Sequence, residues 1–227
     1  MKRLLTFALV AAVAALAASA AGGAVGRECS GIPTCVDVPG PWVAVAASGE
    51  SQFLLDCPLR RGIVAGIDAR ATSRDVHVSF DGLLGSPIAP GRTTTAYAMF
   101  RGVSAHHSQG LFQPLLGCVP SSSGGAQTTA YTITPAGPAL QLGATVLLLE
   151  PGTVRHATLG CPHGESIAYS WDATAFGTTN PPSPALASAV NVHRAVRKGS
   201  VAVTVQTSEA MTLADRAEVQ IGVACAK

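Results

Sequence analysis

Short runs in which apolar and polar residues alternate recur along most of the chain, and they predict β-strands rather than helices. The clearest is Val201, Val203 and Val205, which alternate with Ala202, Thr204 and Gln206. Alternate residues of a strand share one face, so this run puts a valine row against a core and a polar row outward. Similar runs, separated by Gly, Pro and Ser, predict strands near 42–46, 52–56, 63–70, 76–80, 93–103 and 111–118. A second series follows near 140–150, 155–160, 166–174, 187–196, 200–207 and 217–225. No segment carries a long apolar stripe at helical spacing. Residues 208–218 come nearest, but the segment is short and holds Thr212. Six short strands in each series predict an all-β protein of two tandem β-sandwich units.

The two series resemble one another. Leu55-Asp56-Cys57-Pro58, then Ile63, Asp68 and Ala69, matches Leu159-Gly160-Cys161-Pro162, then Ile167, Asp172 and Ala173, at a constant offset of 104, with six identities in fifteen positions. The second cysteine of each copy follows at a similar distance, 61 residues from Cys57 to Cys118 and 64 from Cys161 to Cys225. An internal duplication with one long disulfide per copy is therefore expected, with Cys29 and Cys35 closing a small N-terminal loop. A bridge between copies is the rival pairing. Each long-loop cysteine continues an apolar row: Phe53 and Leu55 lead to Cys57, Leu116 to Cys118, and Val219, Ile221 and Val223 to Cys225. Both bridges should thus lie inside cores. Asp68 and Asp172 become repeat-equivalent acidic positions, suited to a turn or backbone cap or, less commonly, to calcium.

The N-terminus sets the compartment. Lys2 and Arg3, an apolar run from Leu4 to Ala17 and the small residues Ala18-Ser19-Ala20 read as a secretory signal peptide over residues 1–20. Its apolar stretch is too short to span a bilayer. Six cysteines after an export signal read as three disulfides in an extracellular protein. The expected organisation is then an N-terminal segment over 21–40 with the small disulfide loop, a first unit over 41–120, a Ser/Gly linker over 121–130 and a second unit over 131–227. Removing Lys2 and Arg3 takes 15 Lys and Arg to 13, equal to the 13 Asp and Glu. A neutral chain without a basic cluster offers little to nucleic-acid phosphates. No later stretch predicts a membrane span in the mature chain.

Cys161, Trp171 and Cys225 follow the Cys, Trp, Cys order of immunoglobulin domains, and in architecture the units resemble that family, so the expected fold is two tandem immunoglobulin-like or, as the rival, jelly-roll-like β-sandwich units. The resemblance implies that Trp171 packs near the Cys161 to Cys225 bridge. The match is incomplete: Val223 and Leu116 stand where the family has a tyrosine, and Ile67 stands where a tryptophan would be in the first unit.

Candidate chemistry is sparse. Gly164-Glu165-Ser166-Ile167-Ala168 approximates a nucleophile elbow, and Asp172 and His193 follow in the Ser, Asp, His order, which makes a secreted serine hydrolase using Ser166 the alternative function. Against it, the last glycine of the motif is Ala168 and the segment reads as a turn entering a strand. His106 and His107 are adjacent, which suits two faces better than one metal, and no zinc-ligand spacing occurs. No cofactor is expected. The sequence therefore predicts a secreted, disulfide-stabilised, non-catalytic protein with a structural or ligand-binding role toward an unknown extracellular ligand or cell-surface component.

Overall fold

In the computed structural model, residues 29–31, 34–58, 62–80, 97–105, 107–120, 140–197 and 199–227 are described. The expected signal peptide, the expected linker and His106 lie outside them. The protein is all-β and antiparallel. Its strands are β1 (Val36–Pro39), β2 (Trp42–Val45), β3 (Glu50–Asp56), β4 (Gly62–Ala71), β5 (Val76–Phe80), β6 (Tyr97–Ser104), β7 (Gly110–Pro120), β8 (Gln141–Leu148), β9 (Val154–Gly160), β10 (Ser166–Phe176), β11 (Val190–Arg197), β12 (Ser200–Thr207) and β13 (Ala217–Ala226).

Three-stranded sheets form from β3-β6-β5 and from β9-β12-β11, and the remaining strands join one seven-stranded, curled sheet. The two halves pair their strands alike. In the first, β7 lies between β2 and β4; in the second, β13 lies between β8 and β10. Each long ladder also carries one bulge immediately after the cysteine row, between Val64, which faces Cys118, and Gly66 in one and between Ile167, which faces Cys225, and Tyr169 in the other.

The first half departs from the second at its opening strand. Phe112 of β7 pairs with Ala71 on one edge and Val43 on the other, and Leu116 pairs with Ile67 and Val38. So β1 and β2 occupy one edge of β7 in succession, a single strand path interrupted at Gly40-Pro41, where β8 is continuous. Pro41 has no N–H to donate to a ladder, which favours a break there. The 21–40 segment expected from the sequence is thus in part an added strand, its apolar character masked by Asp37 and the prolines.

The halves are also joined. Beyond β7, β2 pairs with β10 of the second half, Val43 opposite Ala175 and Trp42 opposite Phe176. All four residues of β2 are buried, because its two faces serve different cores. Trp42 and Ala44 belong to a cluster with Val201, Val203, Val205, Val219, Ile221 and Val223, whereas Val43 and Val45 pack with Phe53, Phe100, Phe112 and Leu116. A third cluster unites Leu54 and Met99 of the first half with Trp171 and Ala224 of the second. The large sheet therefore wraps β3, meeting Phe53 on one side and Leu54 on the other.

A side-chain clamp closes this wrap. Gln220 of β13 accepts from the Leu54 N–H at 2.7 Å through Oε1 and donates to the Leu54 carbonyl at 2.8 Å through Nε2. β3 is an edge strand, so Gln220 satisfies backbone groups that no neighbouring strand reaches. Trp171 Nε1 donates to the same Oε1 at 3.3 Å.

The disulfides join Cys29 to Cys35, Cys57 to Cys118 and Cys161 to Cys225, the pairs favoured by loop length. Cys57 and Cys118 are buried in the first core, and Cys225 in the second. Trp171, by contrast, does not lie against the Cys161–Cys225 bridge. It stands opposite Gly222, three residues from Cys225 and hence on the other face of β13, where the missing Cβ of Gly222 makes room for the indole. This departs from what the immunoglobulin resemblance implies. Within 208–218 the helical part is one 3₁₀ turn, Leu213–Asp215, in which the Asp215 carboxylate accepts from the Thr212 N–H at 2.7 Å; left-handed Arg216 then leads into β13, which takes residues 217 and 218.

Candidate functional site

The acidic positions matched by sequence do not match in the ladders. Asp68 lies opposite Leu115, three residues before Cys118, whereas Asp172 lies opposite Ile221, four before Cys225. The cause is one extra residue in the first half, where Cys57 and Val64 are seven apart but Cys161 and Ile167 only six. A one-residue slip turns a side chain to the other face. Asp68 Oδ1 accepts from the Ala69 N–H at 2.8 Å, a local backbone bond. Asp172 ion-pairs with Arg194 of β11 at 3.0 Å, and Arg194 also donates to the Ser170 carbonyl. Burial pushes the Asp172 carboxyl above its ordinary range, and Arg194 opposes that shift. Among the described residues no group of three or more His, Cys, Asp or Glu is arranged to hold a metal.

The serine hydrolase constellation is not assembled. Ser166 begins β10, and its hydroxyl donates to the Ala226 carbonyl at 3.4 Å rather than meeting an imidazole. Asp172 lies six residues further along the same strand, about 20 Å at the rise of an extended chain, and is engaged by Arg194. His193 lies opposite Thr204 on an exposed strand. The preceding segment is a tight turn, with the Glu165 N–H bonded to the Pro162 carbonyl and Gly164 at positive φ. It is not the strand-to-helix elbow that the motif requires. A different serine does meet a histidine: Ser48 Oγ lies 2.9 Å from His107 Nδ1. That pair is exposed, and among the described residues no carboxylate orients the imidazole.

The structure opens a cleft that the sequence did not announce. It has a volume of about 580 Å³ and lies where β1 breaks from β2, lined by Asp37, Pro39, Gly40, Pro41, Arg70, Gln113, Leu115, Gly177, Thr178, Thr179 and Glu218. Both halves contribute. Arg70 and Gln113 come from β4 and β7, Glu218 from β13, and Gly177 to Thr179 from the turn after β10.

Several of its polar groups are unengaged. Gln113, 8% exposed, donates through Nε2 to the Gly40 carbonyl at 3.0 Å, a bond that ties β7 to the strand break and leaves Oε1 as a spare acceptor. Among the described residues neither the Arg70 guanidinium nor the Glu218 carboxyl has an ion-pair or hydrogen-bond partner. Burial pushes the Glu218 carboxyl above the usual range, with no cation to offset it. Apolar walls flank these groups at Pro39, Pro41 and Leu115. Concave shape, apolar walls and a few unsatisfied polar groups are the ordinary makings of a small-ligand site. The missing sequence signal was the strand break: Asp37, Arg70, Gln113 and Glu218 lie far apart in the chain, and only the paired strands gather them.

In comparisons with known proteins, no family model, no curated protein and no solved structure matched the chain. Among the described residues no helix is long and apolar enough to cross a membrane.

Proposed function

We propose that the chain is an exported, non-catalytic binding protein made of two duplicated sandwich-like units, and that the cleft between its halves holds a small extracellular ligand. The observation that carries this reading is a pair of opposite charges without partners among the described residues, Arg70 and Glu218, lining one cleft from different halves. A half-buried carboxyl without a partner opposes folding, and a bound cationic group relieves that penalty. Export is supported by the 1–20 leader and by three disulfides with no free cysteine among the described residues. The duplication is supported by the corresponding antiparallel strand pairings of the two halves, the matched bulges and the two long disulfides. On this reading the units span 41–120 and 131–227, with 121–130 as linker.

The test joins two measurements on the secreted protein. Non-reducing peptide mapping is expected to recover the three intramolecular pairs and an N-terminus near residue 21; free thiols, or a retained leader, would refute export. Fluorophosphonate labelling and chromogenic ester and glycoside assays are expected to give no turnover. Stoichiometric labelling lost in Ser166→Ala, or glycoside hydrolysis lost in Glu218→Gln, would replace the binding reading with an enzymatic one.

A further inference from the structure

We infer that the cleft binds a short peptide by its termini, with Glu218 taking the free α-ammonium and Arg70 the free carboxylate. The inference rests on the ligand-binding reading of the same cleft and names its ligand class. Three features converge on it.

First, the two unengaged charges have opposite sign. A site built for a simple anion would leave Glu218 repelling its ligand, and one built for a simple cation would do the same with Arg70. A molecule carrying both charges satisfies both groups. Arg70 suits a carboxylate in particular, because its planar fork of donors matches the two oxygens.

Second, the remaining polar groups suit an amide backbone. Gln113 Oε1, on a side chain held in place by its bond to Gly40, accepts one N–H. The Thr179 hydroxyl, in the turn after β10, can both donate and accept, whereas the Thr178 hydroxyl donates to the Asn180 carbonyl at 2.8 Å. A free amino acid would leave Gln113 without an amide to bond.

Third, the size and walls fit. A volume of about 580 Å³ is within the range of small-ligand sites and exceeds what one amino acid fills. Pro39, Pro41 and Leu115 present rigid apolar surface to small side chains. Rigidity of this kind lowers the ordering penalty of binding.

The experiment is calorimetric titration of the secreted, oxidised full-length protein with trialanine, N-acetyl-trialanine and trialanine amide. Trialanine is expected to bind saturably, and each blocked analogue to bind at least about tenfold more weakly, the loss that follows from removing one charge-assisted bond. Glu218→Gln should weaken trialanine about tenfold and abolish its advantage over the acetylated peptide, while keeping its advantage over the amide. Arg70→Gln should do the reverse. Both are exposed or half-exposed positions where glutamine preserves the fold, and the melting temperature of each variant checks this. The inference is overturned if the wild type shows no saturation with trialanine up to about 10 mM, if all three peptides bind alike, or if either variant keeps the wild-type pattern. Those results would leave the leader, disulfide and labelling tests untouched, so loss of the peptide assignment and loss of the non-catalytic reading are told apart.

Discussion

Replacing Gln220 by leucine removes the clamp on β3 while keeping a side chain of similar volume. The wild-type amide satisfies the Leu54 N–H, the Leu54 carbonyl and the Trp171 indole N–H, all in buried surroundings. Each buried group stranded without a partner costs about 1–3 kcal/mol, and the 3.3 Å indole bond belongs at the low end. Such penalties do not add fully, so Gln220→Leu should destabilise by roughly 3–6 kcal/mol, against a total of about 5–15 kcal/mol for an ordinary domain. Urea titration followed by tryptophan fluorescence measures it, Trp171 itself being a reporter. At a slope of about 2 kcal/mol per M, the midpoint should fall by roughly 2 M. Gln220→Glu adds a sign test. An ionised carboxylate accepts from the two N–H donors but repels the Leu54 carbonyl, and burial raises its folded-state pKa above the unfolded value. Its stability contribution is therefore present below the unfolded carboxyl pKa and lost as pH rises through the folded one. The Gln220→Glu protein should stand closer to wild type near pH 4 than near pH 7. A loss below about 0.5 kcal/mol in Gln220→Leu, or a Glu variant relatively worse in acid, would refute the clamp.

Gly222→Ala would drive a Cβ into the Trp171 ring, so expression yield and melting temperature should drop sharply, with partial recovery in the Gly222→Ala, Trp171→Leu double variant. Opening the 61-residue loop with paired Cys57→Ala and Cys118→Ala changes should cost about 4 kcal/mol in a denaturation curve of the remaining, still oxidised protein. Glu218→Gln, in the absence of ligand, should stabilise the protein at pH 7, because the raised Glu218 pKa means its charged form opposes folding. That gain should vanish below the unfolded carboxyl pKa of about 4.3 in a melting series across pH.

Strand content was legible because it depends on neighbours in sequence, as in the alternation of Val201, Val203 and Val205. Disulfide pairing was legible because the long cysteine spacings, 61 and 64 residues, recur in the two halves. The register was harder. Six identities at an offset of 104 hid one residue between Cys57 and Val64, and that residue separates Asp68 from Asp172 in the ladders. The bulge and ladder register that set the face of Trp171 have no local signature, so the family resemblance misdirected its packing. The cleft was illegible for a related reason. A break at Gly40-Pro41 can be read as a turn, but only the pairing of β2 with β10 brings Glu218 to face it.

That pairing has a consequence for how the chain matures. Val43 and Ala175 lie over half the chain apart, so a protein emerging N-terminus first must hold β2 in readiness until β10 arrives. Contacts of such long sequence separation slow folding and prolong exposure of unpaired strand. Val43-Ala44-Val45, buried on both faces in the finished protein, is then an adhesive stretch awaiting its second neighbour. Truncation after the first half leaves it bare, and the shortened chain should aggregate rather than survive as an autonomous module.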